Sequence, residues 1–548
     1  MLILTFCFEY DNIILYSLSP RKSLTNLSRS FIKSGHAGSS LAPVPDPPRP
    51  PVPDPYLFGG IIMKKTKSAL SLLLAVLMLF SSFVIGVSAE DTPKYIINNP
   101  YKDVDFDNWQ GYKVQLHCQT NASDGYQTIH EMVQECYDLG YNAVALTDHG
   151  TINRGWTEQP QLVPIIRYVK KERTKMADII PLTDEEYEAY ANGTAKTTNG
   201  EERTGGLIDI PMGIELNAAT PICDCHLTGY YCDYGQGFIG VYGDYETPSA
   251  GVKAAGGISM LSHVGEYVYP DKDSEDHVGQ LVDEYYVNKF ARIFIDNKGS
   301  SVGMGINSAT DAHTRCDRIL YDQILKKTIP NGVVPWAFTF SDAHNEEAVN
   351  DAYTIHYMPE LTTDAIRTSM ENGTLFAVSH YSNGVELNGM QEIPGYKDED
   401  CDTVNWRGND TPLVTRVTVD DEKGTISVEG TNFNRITWIV DGNVAVRGGK
   451  DEAVSLEEAI TFNLYDYDGD IEYFVRFYIT GDNGICYSQP FVIDKEGFVR
   501  EAVEVPETND TSTKLRKLVT VIDKLFFKYN IFIKLFKYFV LGYWDSFC

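Results

Sequence analysis

The run "VQLHCQTNASDG", Val114 to Gly125, begins as an alternating apolar strand and ends in His117, Gln119, Thr120, Asn121, Ser123 and Asp124. A strand that only closes a core finishes in one or two turn residues. This one finishes in six side chains that can accept or donate hydrogen bonds or bind a cation. The same form recurs downstream. "NAVALTDHG" ends in Asp148 and His149, "IPMGIEL" carries Glu215, "GGISMLSHVGE" carries His263, and "VPWAFTFSDAH" ends in Asp342 and His344. Stretches of helical spacing such as "IHEMVQECYDLG" and "TTDAIRTSMENG" lie between or after these runs. Strand and helix alternating from Gln110 to about Tyr381 predict an α/β fold with a parallel sheet or barrel. In such folds the strand ends converge on one mouth, so residues scattered in sequence are expected to meet in space. Each has a plainer reading by itself: a helix cap, a solvent-facing carboxylate, a hydrogen-bonded core histidine. Five such endings mixing imidazole and carboxylate point instead to a hydrolytic divalent-metal site.

The chain of 548 residues is too long for one ordinary domain, and at 43% hydrophobic and 22% charged it is expected to bury a core. Its net charge is −30, with residues 1–89 slightly basic and residues 90–548 carrying −34. Such a surface repels polyanions, so no nucleic-acid polymer is expected as partner, although a cluster of cations can still hold one small anion. Residues 1–62, with the Pro-rich "HAGSSLAPVPDPPRPPVPDP", show no sustained period and read as a disordered extension from a mis-called start. From Met63 the pattern is that of a signal peptide, 63–89. Lys64, Lys65 and Lys67 precede an apolar run from Ala69 to Ile85, and Val87-Ser88-Ala89 is a small-residue cleavage site. The expectation is a secreted or cell-surface protein beginning at Glu90, with a membrane anchor as the alternative reading of the apolar run. Of the ten cysteines, Cys223, Cys225 and Cys232 cluster in "CDCHLTGYYC". A zinc knot lacks a fourth ligand of matching spacing close by, which leaves a local disulfide or buried thiols as the readings that fit better.

The ordered set "LHCQTNASDG", "ALTDHGT", "GIEL", "LSHVGEY" and "FSDAH" resembles the PHP superfamily, the polymerase and histidinol phosphatase domain, over about residues 110–385. The resemblance implies a distorted (β/α)7 barrel over a domain spanning 90–385. It also implies two or three divalent metal ions (Zn, Mn or Fe) at the mouth and hydrolysis of a small phosphorylated substrate. Carried over by position, His117 matches the first histidine of the opening His-x-His and Asp124 the acidic residue of Ser-Asp-Gly. His149 matches the Asp-His ligand, Glu215 the bridging carboxylate, His263 the mid-barrel histidine, and Asp342 and His344 the closing Asp-x-His. Glu215, Asp342, His149 and His344 are the implied catalytic set, and His226, in "HLTGYY", is implied as a ligand or a substrate contact. Position 119 departs from the family, with Gln119 in place of histidine. A carboxamide oxygen is the weaker donor, so the first metal position is expected to be softened, and a barrel reduced to binding is the alternative. Asn307 or His313 is a candidate for a further ligand. Arg154, Arg315 and Arg318 are candidate phosphate clamps, since guanidinium presents a planar fork of donors.

Beyond a turn-rich linker, 386–412, the pattern changes to strands alone. "LVTRVTVDDEKGTISVEG", "RITWIVDGNVAVRG" and "IEYFVRFYITGDNGICYSQPFVI" alternate across turns and predict a small Ig-like β-sandwich over 413–495, with Trp438 and Phe474 facing its core. After a second linker, 496–513, residues 514–544 read as a basic amphipathic helix, because residues 511–548 hold seven basic and two acidic side chains. Its lysines interrupt the apolar run too often for a membrane span. Peripheral contact with a membrane surface is expected, or docking on the protein itself.

Overall fold

The computed structural model describes residues 94–163, 178–217, 225–238, 240–241, 243–266, 284–307, 317–382, 404–405, 410–508 and 514. The expected extension, signal peptide and amphipathic helix beyond Lys514 lie outside these residues, as do His313, Arg315 and Cys223. No helix among the described residues is long and apolar enough to cross a membrane.

The chain opens with β1 (Tyr95–Asn98), β2 (Gln110–Cys118), α1 (Ile129–Asp138), β3 (Ala143–Leu146), α2 (Asp184–Ala191), β4 (Ile208–Asp209), β5 (Ile214–Leu216) and β6 (Leu227–Tyr230). It continues through α3 (Glu246–Ala254), β7 (Ile258–Leu261), α4 (Glu284–Asp296), β8 (Ser301–Gly305), α5 (Asp317–Thr328), β9 (Trp336–Phe338), β10 (Ala352–Met358), α6 (Thr363–Asn372) and β11 (Leu375–Ser379). Local chemistry sets these bounds. Thr128 caps α1 in a capping box with Glu131, and Ile129, Met132, Val133 and Cys136, spaced three and four apart, form the face that helix buries.

The strands form two open sheets, not the closed barrel the resemblance implies. One runs β4-β3-β2-β10-β11 and onward into the C-terminal strands; the other runs β5-β6-β7-β8-β9. Parallel pairing, predicted throughout, holds for β2-β3-β4 and β7-β8-β9, but β6 is antiparallel to both β5 and β7, and β10 to β2 and β11. Single bridges join the two sheets near strand ends, between Cys118 and Ala343, between His149 and Glu215 and between Asn153 and Gly213. Beside the site the backbone turns away from β geometry. Asp342 after β9 has φ 50° and His263 after β7 has φ 26°, a region that costs side-chain-bearing residues about 1–3 kcal/mol each.

The C-terminal strands, β14 (Leu413–Asp420), β15 (Thr425–Thr431), β16 (Arg435–Val440), β17 (Asn443–Gly449), β18 (Thr461–Asn463), β19 (Phe474–Gly481), β20 (Gly484–Tyr487) and β21 (Phe491–Lys495), are all antiparallel, as their alternation predicts. They follow a short pair, β12 (Tyr381–Ser382) with β13 (Val404–Asn405). Strands β14, β15 and β18 make a three-stranded sheet, whose Val414, Val417, Ile426 and Val428 share a core with Ile436, Trp438, Phe477 and Ile479. Trp438 is buried in that core as expected, whereas Phe474, equally buried, lies on the other face of β19, in the cluster that includes Ile319 and Leu320 of α5. These strands do not stand apart from the α/β part. β20 pairs with β11, so a single sheet runs through both. The reason lies in the burial of that junction: Ala377, Val378, Ile485 and Cys486 have no face left for water. β1 pairs with β21 and joins this sheet rather than the predicted barrel.

Candidate metal centre

Backbone hydrogen bonds lace four strand ends together. Gln119 N–H donates to Ala343 O (2.8 Å), Thr147 N–H to Cys118 O (2.9 Å) and Glu215 N–H to Asp148 O (3.2 Å). The segment after β2 is folded tightly back, with Asn121 N–H on Gln127 O and Gly125 N–H on Thr120 O. Gly125 is required there, because a Cβ would lie 2.5 Å from the Gln119 carbonyl oxygen. Asp148 orders the same segment. Its carboxylate, fully buried, accepts from Thr120 N–H, Thr120 Oγ1, Ser123 N–H and Ser123 Oγ. Burial raises its pKa against these hydrogen bonds.

On this frame the structure gathers nearly every ligand expected from sequence. Three groups place their donor atoms within 4.8 Å: His117, His263 and Asp342; Asp124, His149 and His344; and His149, Glu215 and His226. Glu215 lies at the junction. Its Oε1 faces His226 Nδ1 (2.5 Å), His117 Nε2 (3.4 Å) and His263 Nε2 (3.5 Å), while Oε2 faces His149 Nδ1 (3.0 Å). Asp342 spans His117 (3.2 Å) and His263 (3.6 Å), whose rings stack at 5.6 Å. Asp124 Oδ1 meets His149 Nε2 (3.2 Å) and His344 Nε2 (3.4 Å). His226 reaches the mouth from the start of its strand, because β6 runs opposite to its neighbours.

Charge follows from this packing. Burial works against the ionised carboxyls of Glu215 and Asp124, but neighbouring imidazoles overcome it: His226, His117 and His149 hold Glu215 well below its usual range, and His149 and His344 do the same for Asp124. Burial likewise opposes protonation of His149 and His344, yet the adjoining carboxylates push them up to about 10 and about 9. Desolvation wins at His226, which is lowered.

The donor set fits divalent cations. His117 Nε2, His149 Nδ1, Glu215 Oε1 and Asp342 Oδ1 are buried atoms that no hydrogen bond satisfies, and a cation in each group satisfies them together. Two histidines are oriented for it. His117 Nδ1 lies 2.6 Å from Thr147 Oγ1 and His344 Nδ1 lies 2.9 Å from the Asp342 carbonyl; a proton held on each Nδ1 would leave Nε2 to face a cation in its group. Thr147, Thr120 and Ser123 were missed as supports in the sequence reading; the density of hydroxyls after β2 is the signal that marks them.

The other candidates sit differently. Gln119 touches the cluster through Glu215: its Nε2 donates to Oε2 at 2.6 Å. Asn307 is buried after β8, outside the three ligand groups. Arg154 is paired with Asp233 (2.8 Å), so a phosphate would have to displace a carboxylate. Arg318 is buried against Tyr487 and Tyr478 and is no clamp at an open mouth. Cys118, Cys136, Cys232 and Cys486 are buried thiols outside any disulfide, and Cys225 is buried as well.

No curated protein matches the chain. Among solved structures it is similar to a two-domain protein from Bacteroides vulgatus containing a predicted PHP-like metal-dependent phosphoesterase, at 14% identity and TM-score 0.33, over 71% of this chain and 96% of that one. It is also similar to an amidohydrolase from Chromobacterium violaceum (12% identity, TM-score 0.25, 48% of this chain and 96% of that one). A lesion-specific endonuclease from Pyrococcus furiosus matches at 10% identity and TM-score 0.27, over 48% of this chain and 56% of that one. Residues 115–293 match the family model of the PHP domain.

Proposed function

We propose that the protein is a secreted or surface-held hydrolase of a small phosphate ester, using two or three ions of Zn, Mn or Fe. The observation that carries this is the buried junction at Glu215, where one carboxylate faces four imidazoles and its two oxygens look toward different ligand groups. Divalent ions held there supply charge neutralisation on phosphoryl oxygens and an acidified water.

The chain's own residues do the rest. Glu215 bridges the groups and fixes their spacing. Asp342 and His344, 14% and 23% exposed, are the ligands nearest the opening, so a substrate arrives past them. Asp342, within 4.0 Å of His117, His263 and His344, is placed to accept a proton from an attacking water. Thr147 and the Asp342 carbonyl keep two imidazoles in the ligating tautomer.

Export rests on the Lys-rich, apolar and small-residue pattern of 63–89, and peripheral membrane contact on the basic run after Lys514. The two antiparallel layers over 413–495 support an Ig-like sandwich fused to the catalytic part rather than tethered to it. The reading is tested by metal analysis of the purified protein with p-nitrophenyl phosphate, bis-p-nitrophenyl phosphate and acyl esters as substrates. Metal-dependent release from a phosphate ester is the expected result. Less than one tightly held ion per chain, or cleavage confined to acyl esters, refutes it.

A further inference from the structure

The sequence leads to the expectation that Gln119 weakens one metal position. We infer instead that Gln119 is a positioning residue acting through Glu215, and that His263 completes the ligand group of His117 and Asp342, so that position 119 is not a ligand position in this chain. The inference rests on the metal-site reading above and concerns which residues carry it.

Three observations support it. First, the orientation of the Gln119 amide is fixed by its partner. An ionised carboxylate only accepts hydrogen bonds, so the group 2.6 Å from Glu215 Oε2 is the amide nitrogen. The carbonyl Oε1, the one Gln119 atom able to ligate a cation, therefore points away, 3.0 Å from Ser123 Oγ. Second, the ligand group of His117 is assembled without residue 119, from the histidine and the carboxylate that follow β7 and β9. His263 Nε2 lies 3.5 Å from Glu215 Oε1 and 3.6 Å from Asp342 Oδ2, and its ring lies parallel to that of His117, 5° between planes. His117, His263 and Asp342, with Glu215 Oε1, make a four-donor set from two imidazoles and two carboxylates. Third, His263 is held in this place at a backbone cost, φ 26°, which the fold sustains at few non-glycine positions.

The role of Gln119 follows from Glu215. That carboxylate can rotate about its terminal bond and exchange its oxygens between ligand groups. A hydrogen bond to Oε2, beside the contact from His149 Nδ1, pins one oxygen on the His149 side and presents the other to His117, His226 and His263. Replacing Gln119 with histidine then adds no ligand. It sets an imidazole against an oxygen already engaged and removes the amide that holds it.

The test uses the full chain as wild type and as Gln119→Met, Gln119→His and His263→Gln. Metal content is measured by elemental analysis, affinity by competition with a chelator, and the ligand field by the visible spectrum of the Co(II)-loaded protein. Gln119→Met is expected to keep the wild-type ion count and Co(II) band positions, while metal binding loosens by about 10–100-fold, the scale of outer-shell hydrogen bonds. His263→Gln is expected to lose one ion outright and to shift the spectrum. Gln119→His is expected to bind no tighter than wild type. Tightening of about tenfold or more in Gln119→His, with a changed Co(II) spectrum, overturns the inference because residue 119 is then a ligand position. Loss of a whole ion in Gln119→Met, or full metal content in His263→Gln, overturns it too. A wild type that binds no ion defeats the phosphoesterase reading itself, which separates the two failures.

Discussion

Arg476, on β19, and Asp322, on α5, form a two-pronged ion pair, with Nε–Oδ1 at 2.8 Å and Nη2–Oδ2 at 2.7 Å, and they are 1% and 2% exposed. The pair ties a helix of the α/β part to a strand of the C-terminal part. Its removal has a definite size. Arg476→Met takes away the cation while filling most of its volume, leaving the Asp322 carboxylate buried without its partner; breaking a buried pair this way costs about 3–5 kcal/mol. Replacing both partners, as in Asp322→Leu with Arg476→Met, should recover most of that, since no buried charge is left over. The assay is urea unfolding of wild type, both singles and the double, followed by far-ultraviolet circular dichroism and by tryptophan fluorescence. Because the sheet is continuous through β11 and β20, the two probes should report one transition in wild type. A loss below about 1 kcal/mol in Arg476→Met, the size of an exposed pair, refutes the reasoning. So does a separate early transition for the C-terminal strands, which would make them the independent sandwich expected from sequence.

Glu215→Ala should remove two ions together, since its two oxygens face different ligand groups; loss of one alone, seen by elemental analysis, rules out a bridging role. Asp342→Asn should lower kcat on a phosphate ester by about 10²-fold or more, in the range of general acid–base contributions, and an unchanged rate at full metal content would take Asp342 out of the chemistry. His356 is buried between Thr354 Oγ1 and Ser369 Oγ, and burial holds its pKa down at about 3 against an ordinary 6.5. Its folded pKa lies below its unfolded one, so its stability contribution is full above pH 6.5 and is lost as pH falls toward 3, at up to about 1.4 kcal/mol per pH unit. His356→Gln should flatten that limb of the stability profile, and an unaltered slope would exclude it. Deleting residues after Asp510 should release the protein from anionic vesicles with turnover on a soluble substrate unchanged, and retained vesicle binding would leave docking as the tail's role.

Much of the site was legible because strand ends are marked twice, by the apolar run that makes the strand and by the ligand type that closes it. His117, His149, Glu215, His263, Asp342 and His344 all carry both marks. Apolar alternation has no arrow, so it gave no sign that β6 reverses and brings in His226 from its beginning. Pairing partners are likewise unwritten in local pattern: "LFAVS" and "GICY" each read as strands, but nothing in either names the other as its neighbour. The side-chain partner of Gln119 depends on a carboxylate 96 residues away, and its substitution looked like a loss for that reason.

The pairing of β1 with β21, Tyr95 opposite Lys495 and Asn98 opposite Val492, also governs the order of assembly. A sheet edge formed from one of the earliest described strands stays open until one of the last has been made, and loops of this length close late because their entropy must be lost before the pairing returns anything. The candidate metal ligands, from His117 to His344, are all synthesised before that final strand. The cluster can therefore gather while the sheet is still unfinished, and the pairing of β21 with β1 closes the edge last. A chain stalled before Phe491 would carry all its ligands and an unpaired β1 edge, a template for joining other chains rather than its own.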